Sequence, residues 1–115
     1  MGKGALDWGS EAHGSALVAR PRGRIDEATA DDFLEQLTNA VEGDARTVIV
    51  DLHDIAYMSS RGLRALILAQ RAAKDNGTAI VLARPNTLMR EILAISRYDM
   101  IFRVTESVEE ALGGG

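Results

Sequence analysis

The sequence predicts an α/β fold in which a mixed sheet of four or five strands carries helices mainly on one face. Short apolar or β-branched runs alternate along the chain with segments whose apolar residues recur at helical spacing. Such strand–helix alternation is typical of a sheet with parallel strands and helices packed on it. The 115 residues, 46% of them hydrophobic, are enough for one core and leave no room for a second.

The first two strands are expected to form an antiparallel hairpin. The run Ser15–Pro21 is short and apolar and predicts a strand, and Ala5–Trp8 predicts its partner, joined near Gly14. Pro21 cannot donate a hydrogen bond to a ladder, which places it at a strand end or at an edge. Gly23 is expected to turn the chain out of the strand, with a positive φ.

The rest of the chain predicts three more strands and four helices. The predicted strands are Thr47–Leu52, Thr78–Ala83 and Met100–Val104. The predicted helices lie within the segments 26–43, 60–77, 85–96 and 107–112. We expect Thr29 or Asp26 to cap the first helix, and Asn76-Gly77 to end the second.

Helical spacing also predicts which faces of the second and third helices are buried. In the second helix the predicted stripe is Leu63, Leu66, Ile67 and Gln70. In the third helix the predicted stripe is Leu88, Ile92 and Ile95. Both stripes are expected to pack against the sheet.

The composition excludes several kinds of functional site. The chain has no cysteine, which excludes disulfides, thiolate chemistry and zinc sites built on cysteine. A formal charge of −4 and a pI near 5.1 argue against direct binding to nucleic acid. There is no P-loop, no G-x-G-x-x-G and no His/Asp/Glu cluster at metal-ligand spacing, so we expect neither a cofactor nor a metal.

The chain is expected to be a soluble, cytoplasmic protein without membrane insertion. No stretch approaches the roughly 20 apolar residues that span a bilayer, and the N-terminus lacks the apolar centre of a secretory signal. We expect a single domain over residues 1–115, with a core at about 5–112 and a disordered glycine-rich tail at 113–115. The oligomeric state stays open, since exposed edge strands can pair between copies.

Two adjacent serines stand between an apolar run and a predicted helix, in the segment IAYMSSRGLRAL (Ile55–Leu66). In open α/β sheets such a place, after a strand, carries functional loops. Three interpretations are open. Ser59 or Ser60 caps the helix with its hydroxyl, or Ser60 is a nucleophile, or the serine is phosphorylated. A phosphoserine there adds about −1.5 to −2 charges at a helix start without breaking the fold.

The nucleophile is the weakest of the three interpretations. The segment has no G-x-S-x-G elbow. His53 is close in sequence, and Asp51 or Asp54 could orient it, but aspartate is common at strand ends and turns. Arg61 and Arg64 favour phosphorylation slightly, because cations in the first turn oppose the helix dipole and a phosphate offsets that cost.

The same region carries a resemblance to a known family. VIVDLHDIAYMSSRGLRALILAQ (48–70) resembles the core of the STAS domain of bacterial anti-sigma factor antagonists. GRIDEATADDF (23–33) is similar to the family's Gly-x-Leu-Asp segment, which ends the second strand and opens the first helix. Segment 76–104 is similar to its third strand, third helix and last strand. The resemblance runs from about Leu6 to Leu112 and implies a STAS-like fold.

Position by position, the resemblance places the family's phosphorylated serine on Ser60, with Ser59 as the second choice. Ser59 stands where the family usually has aspartate, and Gly62 matches the family's glycine. Arg61 replaces a small residue. Such a long cation beside the acceptor either bars a kinase active site or holds the phosphate once it is made.

The resemblance also implies a surface that meets a partner. Asp26 has two interpretations, as a cap of the first helix or as part of that surface. The residues expected to bind the partner are Asp26, Ser59, Ser60, Arg61, Gly62 and Arg64.

The implied function is that of a partner-switching regulator without catalysis of its own. Unphosphorylated, it binds an anti-sigma factor that is a serine kinase of the histidine-kinase-like ATPase type. Phosphorylation of Ser60 ends the complex, and a phosphatase restores it. One alternative is a STAS accessory subunit of a lipid-transport ATPase or of a multi-subunit stress complex, without phosphorylation switching. The other is a serine hydrolase.

Overall fold

A computed structural model describes residues 6–113 of the chain. Within that range the strands are β1 (Asp7–His13), β2 (Ala16–Ile25), β3 (Thr47–Asp51), β4 (Ile55–Met58), β5 (Ala79–Ala83) and β6 (Arg103–Thr105). The helices are α1 (Ala30–Val41), α2 (Ser60–Asn76), α3 (Thr87–Ile95) and α4 (Val108–Gly113), with a short 3-10 helix at Tyr98–Met100.

The described strands form one mixed sheet. Its order is β1-β2-β3-β5-β6, and β4 pairs with the last residues of β2. β1 is antiparallel to β2, and every other pair is parallel. The α/β class and the mixed sheet are confirmed, with one strand more than the upper expectation. The additional strand is β4, four residues long, which runs directly into α2.

Helices cover the two faces of the sheet unequally. α1, α2 and α3 lie on one face and close the main core, where Phe33, Leu37, Leu66, Met89 and Leu93 are buried. α4 covers part of the other face. There its buried Val108 and Ala111 pack with Val18, Ile49, Val81 and Ala83 of the sheet. The expectation of helices mainly on one face is confirmed.

The first hairpin forms as expected, but both of its strands extend further than predicted, β1 to His13 and β2 to Ile25. The turn contains Gly14, at φ +60°. Pro21 lies inside β2 and is buried, so its placement at a strand end or an edge is wrong. β2 pairs with β3 through Ala19 and with β4 from Gly23 onward. Pro21 therefore falls between the two parallel partners, where β2 needs no amide donor on that side.

Gly23 has the positive φ expected of it, +114°. It does not turn the chain out of the strand, since β2 continues to Ile25. The pairing of β2 with β4 is irregular between Gly23 and Arg24, as in a β-bulge. The bulge lies within the segment of β2 that pairs with β4, the strand leading into α2.

The buried faces of two helices differ from the predicted stripes. α2 ends at Gly77 in the left-handed conformation, as expected. Of its predicted stripe, Leu66 is buried and Leu63 and Ile67 are half-buried against the core, but the stripe of buried residues is Gly62, Ala65, Leu66, Ala69 and Ala73. In α3 the buried residues are Met89 and Leu93, whereas Leu88 and Ile95 are exposed. Ile92 of the predicted stripe is half-buried and packs against the core, so the predicted α3 face is wrong at Leu88 and Ile95 but confirmed at Ile92.

The last strand is shorter than predicted, whereas the last helix has the predicted length and lies one residue later. Residues 100–102 are not in the last strand, because Met100 ends the 3-10 helix and β6 starts at Arg103. Gly113 closes α4, and the rest of the predicted tail, residues 114–115, lies outside the described residues, as does Ala5 of the predicted first strand.

Candidate functional site

The two serines stand where β4 passes into α2. Ser59 has an extended backbone, and its N–H donates to the carbonyl of Ile25 at 2.8 Å, which continues the β2–β4 pairing. Its own carbonyl accepts the first hydrogen bond of the helix, from the N–H of Leu63 at 3.0 Å. Ser60 is the first residue of α2 and is exposed. The strand pairing therefore fixes the start of the helix, and the hydroxyl of Ser60 faces solvent there.

Gly62 allows α2 to begin so close to the sheet. It is buried, and a Cβ at this position would lie 2.5 Å from Cγ of Met58 and 2.7 Å from Cγ2 of Ile25. Real carbon–carbon contacts are near 3.5–4 Å. The position therefore requires glycine for close packing of the first turn against β2 and β4, and Gly62 places Ser60 rather than presenting a side chain.

The capping interpretation of the serines is wrong at the level of the side chain. Ser59 occupies the N-cap position, but its hydroxyl does not bond to the first turn of α2. The Ser59 oxygen is buried and has no hydrogen-bond partner among residues 6–113. A buried hydroxyl without a partner costs free energy. The start of α2 is fixed instead by the backbone of Ser59, through its strand-like hydrogen bond.

Replacing Ser59 with alanine is expected to leave the free energy of unfolding within about 0.5 kcal/mol of wild type, or to raise it slightly, because no hydrogen bond is lost. Asn86 is the matched cap. Its side-chain oxygen accepts from the N–H of Met89 at 2.9 Å, and its Nδ2 donates to the carbonyls of His53 and Ile55. Asn86→Ala is expected to cost about 2 kcal/mol. Urea unfolding measures both, and equal losses would contradict this account of the two caps.

The loop between β2 and α1 lies beside the start of α2 and is internally hydrogen-bonded. The carboxylate of Asp26 accepts from the N–H of Ala28 at 3.0 Å. The hydroxyl of Thr29 donates to the carbonyl of Arg24 at 2.7 Å and accepts from the N–H of Asp26 at 3.0 Å. Thr29 occupies the N-cap position of α1, as expected, but its side chain makes no capping hydrogen bond to the first turn. Asp26 instead forms an Asx turn that shapes the loop before the helix.

Opposite charges line this loop and the first turn of α2. Nε of Arg61 lies 2.6 Å from Oε1 of Glu27, which joins the start of α2 to the loop. Nε of Arg24 lies 3.7 Å from the Asp26 carboxylate, and its guanidinium carbon lies 4.8 Å from the centre of the Tyr57 ring. The predicted Asp26 and Arg61 thus come together around the start of α2, with Arg24 and Glu27 added by the structure.

A groove of about 310 Å³ runs between α1 and α2 from this charged end. Its lining residues are Ala30, Asp31, Leu34, Arg61, Arg64, Ala65 and Leu68. Arg64 is exposed on the second turn of α2 and reaches this groove. The groove has an apolar floor and a charged rim, and its rim includes Arg61, the residue that follows Ser60.

The residues that a hydrolase would need are engaged elsewhere. His53 is exposed, and its Nδ1 lies 3.0 Å from the carboxylate of Asp54. Asp51 is 3% exposed, and its carboxylate accepts two hydrogen bonds from Arg84, at 3.0 and 2.9 Å. These bonds raise the pKa of the Arg84 guanidinium. In the described part of the chain, the hydroxyl of Ser60 has no hydrogen-bond partner, so the geometry does not favour a serine nucleophile.

Two side chains that hold the site in place could not be identified from the sequence. Arg84, in the left-handed region at φ 53°, ties Asp51 of β3 to the end of β5. Tyr98 donates from its hydroxyl to the carbonyl of Leu63 at 2.9 Å, which anchors the 3-10 helix to the first turns of α2. Burial raises the pKa of Tyr98, which keeps this donor protonated. Both contacts join elements far apart in sequence and have no local signal.

Two further properties of residues 6–113 bear on function. They contain no group of three or more His, Asp or Glu residues that could hold a metal ion. No helix in that range is long and apolar enough to cross a membrane.

The chain matches known proteins over almost its whole length. Residues 8–111 match the family model of the STAS domain. A candidate anti-sigma factor antagonist of Bordetella bronchiseptica, BtrV, is 32% identical over 95 residues, which cover 83% of this chain and 82% of BtrV.

Solved structures share the fold at lower identity. An anti-sigma factor antagonist from Mycobacterium paratuberculosis superposes with a TM-score of 0.81 at 21% identity, covering 95% of this chain and 92% of that one. SpoIIAA of Bacillus is similar in both its unphosphorylated and its phosphorylated form. The unphosphorylated form gives a TM-score of 0.77 at 18% identity, covering 92% of this chain and 93% of that one. The phosphorylated form gives a TM-score of 0.70 at 19% identity, covering 93% of this chain and 97% of that one. The expected resemblance is thereby confirmed, and the chain belongs to the STAS domain family, with likeness to its bacterial anti-sigma factor antagonists.

Proposed function

We propose that this protein is an anti-sigma factor antagonist switched by phosphorylation of Ser60. In its unmodified form it binds an anti-sigma factor that is also a serine kinase of the histidine-kinase-like ATPase type. Phosphorylation of Ser60 ends the complex, and a phosphatase restores it. The protein acts in the cytoplasm as a substrate and a ligand and performs no catalysis itself.

One observation carries the proposal. The hydroxyl of Ser60 is exposed at the start of α2, while that of the neighbouring Ser59 is buried. A kinase active site has to surround its acceptor oxygen, so Ser60 is the acceptor of the two. Membership of the STAS family over residues 8–111 supports the same position, because the resemblance in sequence implies that Ser60 corresponds to the family's phosphorylated serine.

The step is a phosphoryl transfer from ATP. The oxygen of Ser60 forms a bond to the γ-phosphorus as the bond between that phosphorus and the β,γ-bridging oxygen breaks, and ADP leaves. The hydroxyl proton passes to a base on the kinase. Arg61 does not block the approach in this arrangement, because Glu27 holds it on the side of the β2–α1 loop.

The partner surface comprises the exposed groups around that hydroxyl and the backbone that places them. We assign to it Asp26, Ser59, Ser60, Arg61, Gly62 and Arg64. Ser59 and Gly62 contribute through their packing, which positions the exposed groups. A neutral hydroxyl can be buried in an interface when it is hydrogen-bonded. A desolvated phosphate dianion without a partner costs several kcal/mol, which is enough to end a complex of ordinary affinity.

The test is capture of the kinase and mapping of the acceptor. Wild-type protein and the variants Ser60→Ala, Ser60→Asp and Ser59→Ala are used to capture partners from the native cytosol, and the captured kinase is then given ATP. We expect wild type and Ser59→Ala to be phosphorylated at residue 60 and then released. Ser60→Ala should stay bound with ATP present, and Ser60→Asp should bind at least about 10-fold more weakly.

Two results would contradict the proposal. One is a stable complex that ATP does not change in wild type or in any variant, which is the behaviour of an accessory subunit of a transport or stress complex. The other is phosphate on a serine or threonine other than Ser60. Covalent labelling of Ser60 by a fluorophosphonate would point instead to a hydrolase.

A further inference from the structure

Two arginines follow Ser60 in α2, and the structure gives them different surroundings. Arg61 is paired with Glu27 at 2.6 Å. Arg64 is exposed, and among residues 6–113 it has no hydrogen-bond or ion-pair partner. It nevertheless lies on the rim of the groove between α1 and α2. A long cationic side chain is therefore free one turn after Ser60, while the adjacent cation is occupied.

Helix geometry brings Ser60 together with Arg64 rather than with Arg61. Residues four apart lie on one face with their Cβ atoms about 5–6 Å apart, whereas adjacent residues point in different directions. Side chains also lean toward the N-terminal end of a helix, so the guanidinium of Arg64 extends over the turn that contains Ser60. The order acid first and base four residues later is the more favourable one.

We propose that Arg64 is the residue that binds the phosphoryl group on Ser60, while Arg61 stays paired with Glu27. This inference rests on the proposed phosphorylation of Ser60 and adds how the modified state is held. The guanidinium of Arg64 offers two parallel donors to the phosphate oxygens. The phosphate is then drawn along α2 toward the groove, so that modification changes the groove as well as the helix start.

The charges around the phosphate allow the two arginines to be separated by experiment. Asp26 and Glu27 face this end of α2 from the loop before α1, Asp31 faces it from α1, and Arg61 and Arg64 lie on α2 itself. Removing Arg61 alone would also leave Glu27 without its partner. The double variant Glu27→Gln/Arg61→Gln removes both members of that pair and leaves the local net charge unchanged.

The test installs phosphoserine at residue 60 during translation and follows the second ionisation of its phosphate by ³¹P NMR as a function of pH. The ordinary pKa of that step is about 6, and a bound guanidinium lowers it. Arg64→Gln is expected to raise the phosphate pKa by about half a unit relative to the wild-type phosphoprotein. Arg71→Gln removes the same charge from an exposed position further along α2 and should leave the value unchanged.

The double variant decides between the two arginines. If Arg64 binds the phosphate, Glu27→Gln/Arg61→Gln leaves the phosphate pKa close to wild type. Equal pKa values in Arg64→Gln and Arg71→Gln would overturn the inference, as would a rise in the double variant as large as that expected for Arg64→Gln. No kinase is needed for this titration. A negative result in this titration would therefore exclude Arg64 as the phosphate-binding residue but would leave the proposed switch untouched. Failure of the switch itself would appear only in measurements of binding to the kinase.

Discussion

Replacing Gly62 with valine is expected to destabilise the protein by about 3 kcal/mol. The new Cβ would lie 2.5 Å from Cγ of Met58 and 2.7 Å from Cγ2 of Ile25, both of them buried. Overpacking of a well-packed core typically costs 1–3 kcal/mol, and two opposed contacts place this position at the upper end. Relief of the clash requires the first turn of α2 to move away from β2 and β4, which also displaces Ser60.

Gly9→Val is the matched control. Gly9 lies in β1 and is exposed. Apart from Gly9 itself and its two chain neighbours, no atom of residues 6–113 lies within 4 Å of the position that a Cβ would take. Valine is favoured in strands, so this variant should be neutral or slightly stabilising. Urea unfolding of the two variants gives the comparison. If Gly62→Val is as stable as Gly9→Val, then close packing does not explain the glycine at the start of α2.

The sheet and its helices could be predicted wherever local sequence decides the structure. The β-branched run predicted at Thr47–Leu52 forms β3 as far as Asp51, and it is buried on both faces from Val48 onward. Asn76-Gly77 ends α2 because glycine adopts the left-handed conformation at no steric cost. Ser60 was placed correctly at the helix start because a helical pattern begins there.

The misassigned segments depend on which elements meet. β4 is four residues long and pairs with β2, not with a sequence neighbour, so periodicity could not identify it. Pro21 is accommodated in an interior strand because β2 changes its parallel partner there. In α3, Leu88 and Ile95 fit a helical stripe, but the helix turns Met89 and Leu93 to the core and leaves Ile95 83% exposed.

The contacts within the site could be predicted only in part, because they too depend on which elements meet. The sequence places Arg61 beside Ser60 but does not show that Glu27 pairs with it, because that contact depends on how the β2–α1 loop packs against α2. The burial of the Ser59 hydroxyl follows from the pairing of Ser59 with Ile25, which no local pattern indicates. Tertiary contacts therefore decide which serine is accessible, and which arginine has no ion-pair partner among the described residues.

Phosphorylation of Ser60 is expected to weaken binding to the kinase by at least about 100-fold while leaving the fold intact. The side chain is exposed and makes no hydrogen bond with other described residues, so the phosphate displaces nothing in the protein itself. Negative charge at the start of a helix is also favourable to the helix. Inside an interface, the same dianion loses its water, which costs several kcal/mol. The single positive charge of Arg64 neutralises only about half of the phosphate charge, so most of that cost remains.

The control is phosphoserine at residue 10, on the exposed edge strand β1. It carries the same charge away from α2, so it should bind the kinase as unmodified protein does. This comparison separates an effect of position from a general effect of net charge.

The most direct measurement is calorimetric titration of the purified kinase with protein carrying phosphoserine at residue 60, alongside the unmodified protein, with urea unfolding of both forms. We predict that binding is lost while the unfolding midpoint stays where it was. Equal affinity of the two forms, or a loss of binding that comes with a collapse of the midpoint, would contradict the claim that Ser60 changes the partner surface and leaves the scaffold unchanged.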